Sequence, residues 1–146
     1  FEIYLRAADE PAGRGTPAQK NPAAGNGGSV LIMDDEEYIL DVFTKMLRYQ
    51  GYSVQCVKTG EEAIKRYREH FELGTPFDYV ILDLTVYGGM GGREAIDSLR
   101  KINPSIKAIV SSGYSENPVM ANFREYGFYG VLTKPYSIDD ILKVLG

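Results

Sequence analysis

The stretch Tyr79–Asp83 reads Y-V-I-L-D, an apolar run that ends in a carboxylate. A continuous apolar run of this length is typical of a strand that is covered on both faces of its sheet. Ser29–Met33 (S-V-L-I-M) repeats the pattern and is followed by Asp34 and Asp35. Two buried strands that both end in aspartate predict a parallel sheet whose functional residues lie at the carboxyl ends of its strands.

Patterns typical of strands and helices alternate from Ser29 to the end of the chain. The strands are predicted at 29–33, 52–57, 79–82, 107–111 and 131–133. The helices are predicted from about 36 to 50, from the Thr59 cap to Gly74, through 95–102, from 118 to 126 and from 137 to 145. Five strands that alternate with five helices over short links predict an α/β fold, a five-stranded doubly wound parallel sheet with right-handed crossovers.

The composition of the chain is that of an ordinary globular domain. Its 146 residues are 44% hydrophobic and 25% charged, and the net charge is -4. A chain without a positive field has no general attraction for nucleic acid or anionic lipid. Because Cys56 and His70 are the single cysteine and histidine, an internal disulfide and a cysteine-built or multi-histidine metal site are excluded. The sequence shows no signal-peptide pattern and no apolar run of membrane-spanning length, so we expect a cytoplasmic location.

Residues 1–28 differ from the rest of the chain. Phe1, Ile3 and Leu5 alternate with Glu, Tyr and Arg, as in a short strand, and the residues from 7 to 28 are rich in Ala, Gly, Pro and Asn, as in a linker. The chain starts at Phe1 rather than at a methionine. We therefore expect a fragment of a longer protein, with the end of a preceding domain and a flexible linker in 1–28 and one folded domain in 29–146.

Polar side chains follow four of the predicted strands at their carboxyl ends. Asp34 and Asp35 follow the first strand, Asp83 the third, Ser112 the fourth and Lys134 the fifth. An acidic run at the start of a helix has another explanation, since the helix dipole favours negative charge there. Three carboxylates in one cleft, however, repel one another unless a cation lies between them, and such oxygen ligands suit Mg²⁺. A lysine and a hydroxyl opposite the metal complete a set of groups that fits a phosphoryl group.

Four motifs at the ends of successive strands resemble those of one protein family. They are V-L-I-M-D-D at 30–35, V-I-L-D-L-T at 80–85, I-V-S-S-G at 109–113 and L-T-K-P-Y at 132–136. With these motifs in this order, residues 29–146 resemble a receiver domain, the phosphorylatable module of two-component signalling. The resemblance implies the flavodoxin-like (βα)5 fold of response-regulator receivers.

The resemblance implies a role for each carboxylate at the sheet edge. Asp83 matches the phosphoacceptor, whose carboxylate attacks a phosphoryl group to form an aspartyl phosphate. Asp34 and Asp35 match the acidic pair that holds Mg²⁺ together with Asp83. Thr85, two residues after the acceptor, matches the position that gives the metal its backbone carbonyl.

The two remaining strand-end residues match groups that contact the phosphoryl oxygens. Ser112 matches the switch hydroxyl, and Lys134 matches the phosphate-contacting lysine, whose bond to Pro135 is expected to be cis as in similar domains. The sequence departs from the family pattern at Tyr87, where proline is common. It departs again at Val131, where many receivers carry an aromatic residue that swings inward on phosphorylation.

The resemblance also implies a place in a phosphorelay. A receiver takes its phosphoryl group from a phosphohistidine of a histidine kinase or a histidine phosphotransfer protein, with Mg²⁺, and then switches conformation. It catalyses its own phosphorylation and dephosphorylation but is not a stand-alone enzyme. We expect no direct contact of this fragment with nucleic acid or membrane. Receivers often form homodimers through the face that contains the last helix, and the early end of this helix at Gly146 leaves that mode open.

F-E-I-Y-L at the start of the chain looks like the last strand of a histidine-kinase ATP-binding domain. The glycine-rich loop at 88–92 is similar to that of hybrid-kinase receivers. Together these two segments imply that the fragment is the C-terminal receiver of a bacterial hybrid sensor histidine kinase.

Two other functions remain open on the residues alone. A phosphohydrolase with an aspartyl-phosphate intermediate suits D-L-T-V at 83–86, but such enzymes usually need a second carboxylate where this chain has Thr85. A nucleotide-binding module would use the glycines at 88–92, but no Lys-Ser or Lys-Thr pair follows them, and a flexible loop beside Asp83 explains them as well. His70 is expected on the surface among charged helix residues, which places the donor histidine elsewhere.

Overall fold

The structure is a computed structural model that describes residues 28–113, 117–135 and 137–145. The strand and linker expected in 1–27, and the helix end at Gly146, lie outside this part of the chain. The strands are β1 (Ser29–Met33), β2 (Ser53–Val57), β3 (Tyr79–Asp83), β4 (Ala108–Ser112) and β5 (Gly130–Thr133). The helices are α1 (Glu37–Tyr49), α2 (Gly60–Glu72), α3 (Gly92–Ile102), α4 (Pro118–Ala121) and α5 (Ile138–Leu145). In these ranges no helix is both long and apolar enough to cross a membrane.

The five strands pair in parallel in one sheet of order β2-β1-β3-β4-β5. β1 and β3 are neighbours, and Met33 at the end of β1 is opposite Leu82 in β3. The winding of the sheet reverses between these two strands, and ligands of such sheets bind beyond the carboxyl ends of the strands at this reversal. The predicted five-stranded doubly wound parallel sheet is confirmed.

Apolar side chains on the two faces of the sheet form two cores. Along β1, Leu31 and Met33 face the larger core, whereas Val30 and Ile32 face the smaller one. The larger core packs α2, α3 and α4 against the sheet, and the smaller core packs α1 and α5. The central strands are therefore covered on both faces, which explains why their sequences are continuous apolar runs.

The start of α2 confirms the cap that the sequence predicts. The Thr59 hydroxyl accepts the backbone N–H of Glu62 at 3.3 Å. The Glu62 carboxylate in turn accepts the backbone N–H of Lys58 at 2.8 Å, one residue further back than in the usual capping box. These bonds satisfy backbone groups that an uncapped helix start leaves without partners.

The length predicted for the helix at 118–126 is wrong. α4 ends at Ala121, and the chain continues in turns. The backbone leaves the helical path at Asn122, where φ is -121° and ψ is 39°, and the side-chain amide of Asn122 donates to the carbonyl of Pro118 at 3.2 Å. A side chain that bonds to the backbone in this way competes with helix continuation.

The β3–α3 loop, residues 84–91, is packed against the body of the domain. Its residues Leu84 and Val86 are buried in the larger core. A side-chain carbon at Gly91 would lie 2.4 Å from the carbonyl oxygen of Leu84, and Gly88 has a φ of +75°. Close packing and one positive φ therefore explain these two glycines better than the flexible loop that the composition suggests.

Replacement of Gly91 by alanine tests this packing. We expect Gly91→Ala to lower the free energy of unfolding by about 1–3 kcal/mol, because the added methyl group meets backbone atoms rather than a mobile side chain. Gly113→Ala is the matched control, since within the described residues no atom other than those of its chain neighbours lies within 4 Å of its added carbon. Urea unfolding followed by circular dichroism measures both variants. An equal decrease in the free energy of unfolding of the two variants would contradict the assignment of Gly91 as a packing position.

Candidate functional site

The carboxylates of Asp34, Asp35 and Asp83 come together at the carboxyl end of the sheet. Asp83 is the last residue of β3, and Asp34 directly follows β1, the neighbouring strand. One carboxylate oxygen from each of the three residues lies within 4.8 Å of the others. Asp34 and Asp83 are buried, and Asp35 is half-buried. The arrangement leaves the three carboxylates close enough for one cation to lie among them.

Asp34 is held by bonds to both of its carboxylate oxygens. Its Oδ1 atom accepts the backbone N–H of Glu36 at 2.9 Å, in a turn that leads into α1. Its Oδ2 atom accepts a hydrogen bond from Lys134 Nζ, also at 2.9 Å. Its own backbone N–H donates to the carbonyl of Val57 at the end of β2, at 3.1 Å. Asp34 therefore links three strand ends.

Lys134 reaches the acidic cluster from the residue after β5. Its backbone N–H donates to the carbonyl of Ser112 at 2.8 Å, which fixes where its side chain starts. Its Nζ atom lies 2.9 Å from Asp34, 3.5 Å from Asp83 and 3.6 Å from Glu36. The Lys134-Pro135 bond is cis, as expected.

Ser112 and Thr85 lie at the same edge of the sheet and differ in exposure. Ser112 is the last residue of β4 and is buried, and it pairs with Thr133 of β5. Thr85 lies two residues past Asp83 in the β3–α3 loop and is exposed. Their expected roles, the hydroxyl for a phosphoryl group and the carbonyl for a metal, stay predictions.

Burial and neighbouring negative charge raise the pKa of Asp83 to about 7. Loss of solvent around the carboxyl group is the largest cause, followed by the charge of Asp34, and Asp35 adds to the effect. Lys134 lowers the pKa through its charge and its hydrogen bond. Because the single ammonium offsets the three carboxylates only in part, the metal-free site has an excess of negative charge. Shifts with these causes are frequent at functional sites.

The sequence does not predict two contacts of this site. Glu36 brings a fourth carboxylate to within 3.6 Å of Lys134 Nζ, and its place directly after the acidic pair is the signal that points to it. The backbone N–H of Tyr87 donates to Asp35 Oδ2 at 3.2 Å. No sequence pattern signals this second contact, because it depends on the path of the β3–α3 loop.

His70 is half-buried, so the expectation that it lies on the surface is wrong in part. Its Nε2 atom lies 3.1 Å from the side-chain nitrogen of Gln55, and its ring centre lies 4.5 Å from that of Phe77. These contacts belong to the body of the domain. They are explained by packing between α2 and the sheet.

The chemistry of the acidic cluster fits a hard divalent cation. Asp34, Asp35 and Asp83 supply oxygen ligands only, and the excess negative charge around Asp83 favours a cation. Mg²⁺ takes such ligands through a few carboxylates and keeps several waters. Lys134, on the same cluster, adds a cationic donor for an anionic group that shares the site.

Comparison with known proteins identifies a family over most of the chain. The sequence model described as "Response regulator receiver domain" matches residues 30–146. This range begins in β1 and includes all the motifs at the carboxyl edge of the sheet.

Similar proteins and structures agree with that match. The sensor kinase CckA of Brucella abortus (strain 2308) is 31% identical over 149 residues, an alignment that covers 97% of this chain and 15% of the kinase. A CheY-like receiver domain protein from Methanospirillum hungatei JF-1 has a TM-score of 0.70 and 25% identity, and the match covers 80% of this chain and 89% of that one.

The receiver domain of sensor histidine kinase PA1611 from Pseudomonas aeruginosa PAO1 was solved with a magnesium ion in its active site cleft. It has a TM-score of 0.71 at 21% identity, over 82% of this chain and 94% of that one. The present chain spans between 15% and 48% of the length of curated relatives that it matches.

The raised pKa of Asp83 predicts that the metal-free protein loses stability as the pH rises. A carboxyl group whose pKa is higher in the folded state than its ordinary 3.8 stabilises the fold while it is protonated. This contribution is complete below pH 3.8 and is lost as the pH rises through about 7. Asp83→Asn stays neutral and should therefore unfold at a higher urea concentration than the parent at pH 8 with a chelator present. The expected gain in the free energy of unfolding is on the order of a few kcal/mol.

The exposed Asp97, which pairs with Arg93 on α3, provides the control. Asp97→Asn should unfold at the same urea concentration as the parent across the same pH range. A parent protein as stable as Asp83→Asn at pH 8 would contradict the predicted charge strain at Asp83.

Proposed function

The chain belongs to the response regulator receiver domain family, and we propose that Asp83 is its phosphoacceptor. Receiver domains of two-component signalling accept phosphoryl groups from histidine kinases. The contact of Asp83 with both the acidic pair and Lys134 is the observation that supports its assignment most directly. Asp34 shares the burial and the contact with Lys134, but both of its carboxylate oxygens already accept hydrogen bonds, from the Glu36 N–H and from Lys134.

In the proposed reaction, a carboxylate oxygen of Asp83 attacks the phosphorus atom of a phosphohistidine. A phosphorus–oxygen bond forms as the phosphorus–nitrogen bond breaks, and the imidazole leaves with the bonding electron pair and takes up a proton. Lys134 and Ser112 bind the phosphoryl oxygens and stabilise their charge in the transition state. A cation bound in the cluster would lower the pKa of Asp83 from about 7, and the nucleophile would then be ionised at neutral pH.

We assign Asp34, Asp35 and Asp83, with the backbone carbonyl of Thr85, as the groups that hold Mg²⁺. The bound ion supplies positive charge that neutralises the phosphoryl oxygens during transfer. The three aspartates offer carboxylate oxygens within 4.8 Å of one another, which supports the assignment. The magnesium ion in the cleft of the PA1611 receiver supports it by analogy.

We also propose that the fragment is the receiver of a hybrid histidine kinase in a bacterium, where it works in the cytoplasm. The alignment with the sensor kinase CckA covers 97% of the chain, whereas the receiver family accounts for 30–146. The similarity to a kinase thus extends into residues 1–28, where we place the end of a preceding domain and a linker. The fragment's own role is that of a phosphoacceptor within such a protein. The alternative of a phosphohydrolase lacks support, because Thr85 stands where a second carboxylate is needed.

An apolar groove between α1 and α5 supports a protein as phosphodonor. Its volume is about 610 Å³, and it opens beside the site because Glu36 and Lys134 line one end. The rest of its lining is mostly apolar and includes Ile39, Val42, Phe43, Met46, Pro135 and Ile138. A donor that buries an apolar surface here brings its phosphohistidine to the edge of the sheet where Asp83 lies.

The acceptor assignment predicts that Asp83 takes up phosphate from acetyl phosphate in the presence of Mg²⁺. Asp83→Asn should abolish uptake, because an amide is a poor nucleophile. Asp35→Asn should raise the Mg²⁺ concentration that uptake requires, since removal of a ligand charge weakens binding of a hard cation. Mass spectrometry of the intact protein measures the added phosphate. Asp97→Asn is the control that should retain full uptake, and phosphate on Asp83→Asn would contradict the assignment.

The groove predicts a difference between protein and small-molecule donors. Met46→Glu places a charge in the groove and should slow transfer from the phosphorylated kinase region of the parent protein by about tenfold, equivalent to about 1.4 kcal/mol. Uptake from acetyl phosphate should not change, because this donor needs no groove. Leu73→Glu is the matched control, an exposed apolar residue past the end of α2. Equal transfer rates for both variants would remove the groove from donor binding.

A further inference from the structure

We propose that Tyr87 is a positioning residue for the metal-binding carboxylate of Asp35, through its backbone N–H. The proposal rests on the function proposed above, in which Asp35 binds Mg²⁺. The Tyr87 N–H donates to Asp35 Oδ2 at 3.2 Å, and this bond joins the β3–α3 loop to the residues that follow β1. An ionised carboxylate has two oxygens with about four acceptor sites, so one N–H leaves it able to bind a cation.

The Tyr87 N–H is a suitable anchor because the loop on both sides of it is fixed. Before it, Leu84 donates its backbone N–H to the carbonyl of Ser111 at 2.8 Å, and the side chain of Val86 is buried. After it, the backbone N–H of Met90 donates to the Glu61 carboxylate at 3.0 Å. The carbonyl of Met90 accepts the N–H of Gly60 at 2.7 Å. The donor is thus held in place from β4 on one side and from the start of α2 on the other.

Asp35 needs such an anchor more than its neighbours do. Asp34 is buried and bound at both oxygens, whereas Asp35 is half-buried and can turn towards water. Repulsion from the charges of Asp34 and Asp83 favours that turn. A hydrogen bond to an ionised carboxylate is stronger than one between neutral groups, so the Tyr87 N–H opposes the turn and keeps the carboxylate in the cluster. Hydrogen-bond partners of this kind typically change metal affinity by about 10–100-fold.

The backbone of Tyr87, and not its ring, carries this role. Tyr87 is exposed, with 87% of the residue's surface open to solvent. Any residue except proline supplies the N–H. A proline at this position would therefore remove the contact with Asp35.

The test compares Tyr87→Pro, which lacks the N–H, with Tyr87→Ala, which keeps it and lacks the ring. Isothermal titration with Mg²⁺ should show a dissociation constant about tenfold higher for Tyr87→Pro and a change of less than about twofold for Tyr87→Ala. Uptake of phosphate from acetyl phosphate should then need about tenfold more Mg²⁺ for half-maximal rate in Tyr87→Pro. Its rate at saturating Mg²⁺ should match that of the parent.

Glu61→Ala separates positioning from general loosening of the loop, because it removes one of the two bonds at Met90 and leaves both the Gly60 N–H bond to the Met90 carbonyl and the Tyr87 N–H in place. We expect its Mg²⁺ affinity to stay within about twofold of the parent. Parent-like Mg²⁺ affinity in Tyr87→Pro, or an equal loss in Tyr87→Ala or Glu61→Ala, would overturn the proposal. If the parent binds no Mg²⁺, the proposed metal site itself fails, and this proposal fails with it.

Amide exchange in the metal-free protein tests the bond without proline. The Tyr87 amide proton should exchange with solvent more slowly in the parent than in Asp35→Ala, where its acceptor is removed. Equal exchange in the two proteins would overturn the proposal whether or not Tyr87→Pro folds.

Discussion

Repulsion among three carboxylates at one sheet edge is the constraint on which the functional end of this domain depends. The apolar runs of β1 and β3 make these strands neighbours, and their pairing brings Asp34 and Asp83 side by side. Burial first, and the charges of Asp34 and Asp35 after it, raise the pKa of Asp83 to about 7. Burial in the two cores must outweigh the cost of this repulsion, because the net stability of a domain is a small difference between large terms. The site is therefore strained in the absence of a cation, and the rest of the fold tolerates it.

Lys134 shows how the fold relieves part of that cost. Its backbone is tied to Ser112 through the β4–β5 pairing, and its ammonium lies nearest to Asp34 rather than to Asp83. The exposed carboxylate of Glu36 also forms an ion pair with this ammonium. A phosphoryl group on Asp83 would remove the carboxylate charge and add about two negative charges further out. The ion pairs of Lys134 are thus the contacts of the site that phosphorylation of Asp83 would change most.

Most of the fold and the members of the site could be predicted from the sequence because they depend on local patterns. Continuous apolar runs identify the central strands, and parallel pairing makes their carboxyl ends converge, so Asp34, Asp35, Asp83 and Lys134 follow from position alone. The extent of α4 could not be predicted, because Asn122 competes for the Pro118 carbonyl through its side chain. The bond from Tyr87 to Asp35 joins residues 52 positions apart and depends on the path of a loop, which no periodicity encodes.

The short α4 affects which part of this domain can rearrange most easily. A helix of four residues contains few hydrogen bonds of its own, and the backbone hydrogen bonds of the turns after it are mostly local. Segments with little regular structure open and rearrange at a lower free-energy cost than long packed helices. Residues 117–128 are therefore the segment that we expect to rearrange at the lowest free-energy cost. In the role proposed for Ser112, binding of a phosphoryl group would act on this segment, while the longer helices α1, α2 and α3 serve as a fixed frame.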